Sequence, residues 1–220
     1  PDFFPRCPAM SVSSSLHPTE SEEYIMNRVA PTDAPIQELL SKRWSPYAFD
    51  PERTVAAEDL HALFEAARWM MSSYNAQPWR YIVGTRDGSP EIRDRIFNVL
   101  LEGNQPWARN APVLALGIVQ HNFEHNGKPN KAAVHDLGAA SAGLTFEAAA
   151  RGLAVHQMIG IDPDKARETF EPADGLEAFT GLAIGYPGEA SMIPDEYAQR
   201  DRQPRERKAL AEIILAGSIG

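Results

Sequence analysis

Ser72-Ser73-Tyr74-Asn75-Ala76-Gln77-Pro78-Trp79 is the stretch where one regular pattern stops and another begins. Ahead of it Leu60, Leu63, Phe64 and Ala67 recur at i, i+3, i+4 and i+7, the apolar stripe of an amphipathic helix. Behind it Tyr81-Ile82-Val83-Gly84 reads as a short buried strand. The loop between them is held at both ends. Its two serine hydroxyls, its Asn75 and Gln77 amides and the Trp79 ring can hydrogen-bond the edge of a polar planar ligand and cover its flank, and Pro78 sets the backbone before the strand. A helix C-terminus followed by an ordinary turn accounts for the same composition, and these residues alone do not separate the two readings.

The chain has 220 residues, 43% hydrophobic and 23% charged, and is most simply a single soluble domain with a substantial core. A net charge of −9 argues against partners such as nucleic acid or an anionic membrane. Cys7 is the only cysteine, which excludes an intrachain disulfide and a thiol-based metal site. No apolar run reaches the roughly 20 residues of a membrane span, and the N-terminus lacks the pattern of a signal peptide, so a cytoplasmic location is expected. Residues 1–33 mix Pro, Ser and Glu and read as a flexible extension, with a short helix or swapped arm expected over Glu22–Val29. Met10 reads as a natural start, which makes Pro1–Ala9 foreign to the native chain, and residues 34–220 form the domain.

Along the domain, Ile36, Leu39 and Leu40 open a short helix that Pro46 closes. Arg43 and Ser45, two apart in an irregular segment, can present a guanidinium and a hydroxyl to one anion. A helix is expected from Glu91 to Leu101, ended by Gly103. Asn104-Gln105-Pro106-Trp107 repeats the amide–proline–tryptophan wording ahead of a strand at Val113–Val119. His121, Glu124 and His125 have the order of an H-x-x-E-H zinc motif, but the stretch follows a strand directly and runs into Asn126-Gly127-Lys128-Pro129, so a solvated loop without metal is expected.

The longest helical pattern, Lys131 to Arg151, is rich in Ala, Gly and Ser, which suits a helix packed on more than one side, in a core or a dimer interface. A strand from Leu153 through His156, Gln157 and Met158 then enters Ile159-Gly160, where glycine permits a close backbone approach to a ligand. His156 itself reads as a structural strand histidine. After another helix and the strand Ala178–Ile184, the tail beyond Tyr197 is basic, with Arg200, Arg202, Arg205, Arg207 and Lys208. Leu210, Ile213 and Ile214 offer an apolar segment to dock it on the body.

In this order the S-S-x-N-x-Q-P-W wording, the R-x-S segment, G-Y-P and the R-x-R tail resemble the nitroreductase family of FMN-dependent NAD(P)H oxidoreductases, over roughly Ile36 to Leu215. The resemblance implies an α+β three-layer sandwich, a mostly antiparallel central sheet flanked by helices, assembled as an intertwined homodimer with one FMN in each interface cleft. Arg43, Ser45, Arg205 and Arg207 would match the phosphate and ribityl contacts. Ser72, Ser73, Asn75 and Gln77 would edge the flavin from the other subunit, with Asn104 near its pyrimidine ring. Gln157, Met158, Ile159 and Gly160 would line its N5 and O4 edge, the last two through backbone N–H groups. Hydride would pass from NADH or NADPH through the flavin to an acceptor, with no catalytic side chain required. Specialised branches of the same scaffold (flavin fragmentation, dehalogenation, azoline oxidation) and a flavin-binding module without turnover are the alternatives.

Trp44, Tyr47 and Trp107 stand at cofactor-binding positions where many members of that family carry basic or polar side chains. Without positive charge there the reduced, anionic flavin loses stabilisation unless Arg68, Arg80 or Arg109 supplies it, so a low flavin potential is expected, to be read by redox titration. The aromatics and Ile159 suggest an apolar pocket for a planar or hydrophobic acceptor such as a nitroaromatic or quinone.

Overall fold

Strand β2 (Val113–Gln120) is apolar almost throughout because both faces of the sheet are covered. Val113, Ala115 and Val119 face one core cluster, and Leu114, Leu116 and Ile118 face another. In the computed structural model, which describes residues 28–217, β2 is one of the two central strands of a four-stranded sheet. The order is β1 (Trp79–Thr85), β2, β4 (Leu176–Gly185) and β3 (Ala154–Met158), antiparallel at every pairing. Cys7, Met10 and most of the Glu22–Val29 segment lie outside the described residues.

On one face, α2 (Ala57–Arg68) and α5 (Ala133–Ala150) bury Leu63, Ala67, Leu137, Ala140 and Leu144 against the sheet. Each fully buried leucine contributes about 1.5–3 kcal/mol of transfer free energy. The small residues of α5 allow this packing. A Cβ on Gly143 would fall 2.5 Å from Met70 Sδ and 3.2 Å from the Ala66 carbonyl oxygen, so glycine lets α2 and its following turn approach. On the opposite face lie α3 (Pro90–Val99), α4 (Gln105–Ala108), α6 (Pro163–Phe170) and α7 (Asp195–Arg202), carrying Ile96, Val99, Trp107, Ala166 and Tyr197 into the second cluster. The result is the helix–sheet–helix sandwich expected from the sequence.

Two boundaries differ from expectation. Helix α3 ends at Val99 rather than at Gly103, because Leu100 turns extended and forms a β-bridge with Ile161. Leu101 N then donates to the Gly160 carbonyl at 3.0 Å and Asp162 N to that of Val99 at 2.9 Å. These non-local bonds satisfy groups that further helix would have used. The basic tail begins as helix α7, and its end docks through Arg205 rather than through apolar contacts. In the terminal turn α8 (Leu210–Ile213), Leu210 and Ile213 remain 46% and 60% exposed. Residues 28–33 also join the body, with Ala30 N donating to the Ser41 carbonyl and Arg28 Nη1 to that of Gln203.

Candidate functional site

Arg43 follows the short helix α1 (Glu38–Lys42), and its Nη1 donates to the Ser45 hydroxyl at 3.2 Å, so the expected guanidinium–hydroxyl pair is formed. Arg43, Arg205, Arg207 and Lys208 line one cleft of about 710 Å³, with Asp33 and Glu206 as its acidic members. Arg205 fastens the tail here, its Nη1 donating to the Arg28 and Ser41 carbonyls (2.6 and 2.7 Å) and its Nη2 to the Arg43 carbonyl (2.9 Å). Burial, then the neighbouring Arg207, lowers the Arg43 pKa. Burial, then Arg43, Arg207 and Arg28, lowers that of Arg205. Guanidinium pKa values are so high that both stay charged, and among the described residues their hydrogen bonds run to carbonyls and a hydroxyl rather than to carboxylates. The cleft therefore holds concentrated positive charge suited to an anion.

The backbone after Ser45 is gripped from two elements. His156 Nδ1, on β3, donates to the Pro46 carbonyl at 2.9 Å. The Asp201 carboxylate, on α7 and 2% exposed, accepts from Tyr47 N at 3.0 and 3.1 Å and from Ala48 N at 3.1 Å. The Tyr47 ring packs edge-on to Trp107 at 5.2 Å and against His156 and Tyr197 at 4.7 and 5.4 Å. Trp107 is wholly buried in this cluster and presents no surface of its own to a cofactor, and Trp44 is nearly buried under the Arg28 guanidinium. The Arg200 guanidinium lies 5.9 Å from the Tyr47 ring centre. Of the three arginines considered for that charge, Arg68 is paired with Glu65, Arg80 with Glu124, and Arg109 sits over Phe97.

A second group gathers beyond β3. Asn104 Nδ2 donates to the Gly160 carbonyl at 2.8 Å, and a Cβ on Gly160 would lie 2.4 Å from that nitrogen. Tyr197 Oη holds the neighbouring Gly103 carbonyl at 2.8 Å. Ile159 and Leu101 are exposed beside this contact, Met158 is buried, and Gln157 turns to α5, donating to the Ser141 carbonyl and Thr145 Oγ1.

The Ser72–Trp79 stretch forms a 3-10 turn at Ser73–Asn75, with positive φ at Tyr74, Asn75 and Gln77. Left-handed backbone at three non-glycine residues is held by hydrogen bonds from Ser73 N to Asp136 Oδ2 (3.0 Å) and Gln77 N to Ser72 Oγ (3.0 Å). It lies at the first turn of α5, whereas Arg43 shares a groove with Thr145 and Ala149 near the other end. Asp136 and Ala149 are roughly 20 Å apart along the helix axis.

Residues 40–186 match the model of the nitroreductase family. The chain belongs to the nitroreductase family. It is similar to the major NAD(P)H-flavin oxidoreductase of Aliivibrio fischeri, 26% identical over 82% of this chain and 97% of that one. It is also 31% identical to a Streptomyces coelicolor protein named as a putative NADH dehydrogenase/NAD(P)H nitroreductase, over 66% and 77% of the two chains. The crystal structure of an oxidoreductase containing FMN superposes with a TM-score of 0.79 at 34% identity, covering 87% of this chain and 96% of that one.

In this member of the family the His121–His125 stretch is a turn whose groups have separate partners. His121 Nε2 meets Glu177 at 2.7 Å, Glu124 meets Arg80 at 2.7 Å, and His125 meets Asn126 at 2.9 Å. Among the described residues no group of three His, Cys, Asp or Glu side chains could hold a metal ion. Tyr197 was read only as the start of the basic tail and Asp201 was not singled out, because its partners Tyr47 N and Ala48 N lie 154 and 153 residues away. An acidic residue among four arginines was the available signal.

Burial lowers the His156 pKa below its ordinary 6.5, against the opposing pull of the Pro46 carbonyl. The unfolded chain takes up the proton more readily, so the fold loses stability as pH falls below 6.5 and is unaffected by this group above it. Melting temperatures from about pH 8 to about pH 5 should therefore drop less in His156→Phe than in the wild type. Parallel profiles would show that another group is responsible.

Proposed function

We propose that this chain is an FMN-dependent oxidoreductase that uses NADH or NADPH to reduce a planar or hydrophobic acceptor such as a nitroaromatic or quinone. The observation that carries the reading is the convergence of Arg43, Arg205 and Arg207 on one cleft although they come from opposite ends of the domain. Guanidinium groups that bond no carboxylate among the described residues, next to the Ser45 hydroxyl, suit the phosphate dianion of FMN. A bound flavin would supply the redox chemistry between nicotinamide and acceptor. Around it the chain's residues bind and orient. Asn104 and the Gly160 backbone fit the polar edge of the ring system, and exposed Ile159 and Leu101 beside them favour an apolar acceptor.

The Ser72–Asn75 wall is read as belonging to the cleft of a second copy. Its distance from the arginines along α5 supports this, as do exposed Tyr74 within it and Trp69 and Met71 just ahead of it (88%, 74% and 68%). Val134 and Gly138 leave an open face on α5, and a Cβ on Gly138 would meet nothing within 4 Å. A symmetric dimer covers such surfaces and completes two sites at once. Among the described residues no helix is long and apolar enough to cross a membrane.

The purified protein should show a flavin absorption spectrum and bleach rapidly with NADH or NADPH under anaerobic conditions, and sedimentation should give a dimer. A colourless protein that takes up no added FMN would overturn the reading. Flavin that binds but does not bleach would favour a module without turnover.

A further inference from the structure

The segment from Ser41 to Ala48 carries both Arg43 and Ser45, and five of its backbone groups are held by six hydrogen bonds with three side chains. Arg205 takes the Ser41 and Arg43 carbonyls, His156 takes the Pro46 carbonyl, and Asp201 takes the Tyr47 and Ala48 amides, the first of these twice. None of these six bonds belongs to a helix or sheet ladder, and past the end of α1 the path of the segment is set by side chains from β3, α7 and the tail together with the bond from Gly188 N to the Ala48 carbonyl at 2.9 Å. Asp201 is buried, and its carboxylate anchors the backbone by accepting from Tyr47 N and Ala48 N. A carboxylate accepting N–H groups of successive residues turns them inward and fixes the orientation of that peptide. His156 must carry its proton on Nδ1 to serve a carbonyl, and the donor is fixed further by the rings of Tyr47 and Trp107, 4.7 and 4.4 Å from its own.

We propose that Asp201 and His156 are positioning residues for the anion cradle. They hold the Pro46–Ala48 backbone so that the Ser45 hydroxyl stays paired with the Arg43 guanidinium that lines the cleft. Neither side chain is assigned a contact with the ligand. The inference rests on the reading of that cleft as the phosphate end of an FMN site and adds the residues that make it specific for a phosphorylated flavin. Two amides are withdrawn from the anion by Asp201, leaving recognition to side chains whose placement depends on the anchors.

The test compares dissociation constants for FMN and riboflavin, which differ by the phosphate, in the wild type, Asp201→Asn, His156→Phe and His156→Asn. Asparagine in place of Asp201 keeps the shape but replaces one accepting oxygen by a donor. Phenylalanine at position 156 keeps a packed ring without the donor, and asparagine there keeps a donor near Nδ1 without the ring. The preference for FMN should fall about tenfold in Asp201→Asn and His156→Phe, with riboflavin binding changed much less, and should be kept in His156→Asn. Thermal melting of each flavin-free variant reports folding separately. If both flavins weaken in parallel, or if His156→Asn loses the preference while His156→Phe keeps it, the anchors act only on stability or packing and the proposal falls. If Asp201→Asn does not fold, the His156 pair decides. A wild type that binds riboflavin as tightly as FMN removes the phosphate cradle, and one that binds neither removes the flavin reading and the inference with it.

Discussion

Arg43→Ala should raise the FMN dissociation constant roughly ten- to a hundredfold, because one charge-assisted contact to phosphate is worth about 1.5–3 kcal/mol and each 1.4 kcal/mol is a tenfold change. Riboflavin, lacking the phosphate, should be affected far less. The reason lies in the crowding of positive charge on this cleft. Burial, then Arg207, lowers the Arg43 pKa, and burial, then Arg43 and Arg207, lowers that of Arg205, so the flavin-free protein carries a repulsion that a dianion relieves. Removing Arg43 relieves part of it in advance, so the flavin-free variant should melt no lower than the wild type while the rise in melting temperature on adding FMN shrinks. The wild-type affinity should also weaken with added salt, and less steeply in the variant, since the exposed rim of the cleft is screened. Isothermal titration with FMN and riboflavin checks this. Unchanged FMN affinity in the variant would remove Arg43 from the cradle.

Trp107→Ala is expected to cost about 3–5 kcal/mol of stability, the range for deleting a buried indole, which for a chain of this size lowers the melting temperature by roughly 6–20 °C. Trp107 is 0% exposed, edge-on to Tyr47, tilted 31° against His156 and stacked at 6.5 Å on Phe49. Its Nε1 has no hydrogen-bond partner among the described residues, so the loss is one of packing and cavity rather than of a broken polar contact. Trp107→Phe should recover much of the stability. The substitution also loosens the ring that backs His156 and Tyr47, so the remaining folded protein should discriminate less well between FMN and riboflavin. Differential scanning calorimetry provides the measurement. A fall of only a degree or two would mean that the core closes around the gap, and the aromatic cluster would no longer explain the rigidity of the Ser45–Ala48 segment.

The two tryptophans of the amide–proline–tryptophan pairs show how far local reading reaches. Trp79 was read as the last residue of the loop ahead of a strand at Tyr81–Gly84, and it opens β1, a shift of two residues, because the preceding proline and the apolar run that mark this boundary are features of neighbouring residues. Trp107 was assigned to the cofactor on family pattern and lies in the interior, because its surroundings are Tyr47, Phe49 and His156, distant in sequence. Helices α2 and α5 were legible from periodicity and small residues. The end of α3 was not, because Leu100 leaves the helix to pair with Ile161, a bond that no residue near Gly103 announces.

The order of motifs, the alternation of buried strands with helices and the presence of Arg43, Ser45, Asn104, Gly160, Arg205 and Arg207 were determined by the sequence by itself, since each depends on residue type and short-range spacing. Only the tertiary structure decided that Arg205 folds back onto the Arg43 carbonyl, that Asp201 and His156 hold the segment between Ser45 and Phe49, and that Ser72–Asn75 lies at the opposite end of α5 from the arginines. These are contacts between groups up to 162 residues apart. They exist because buried backbone amides and carbonyls outside regular structure must find partners, and side chains brought in by other elements are the partners available.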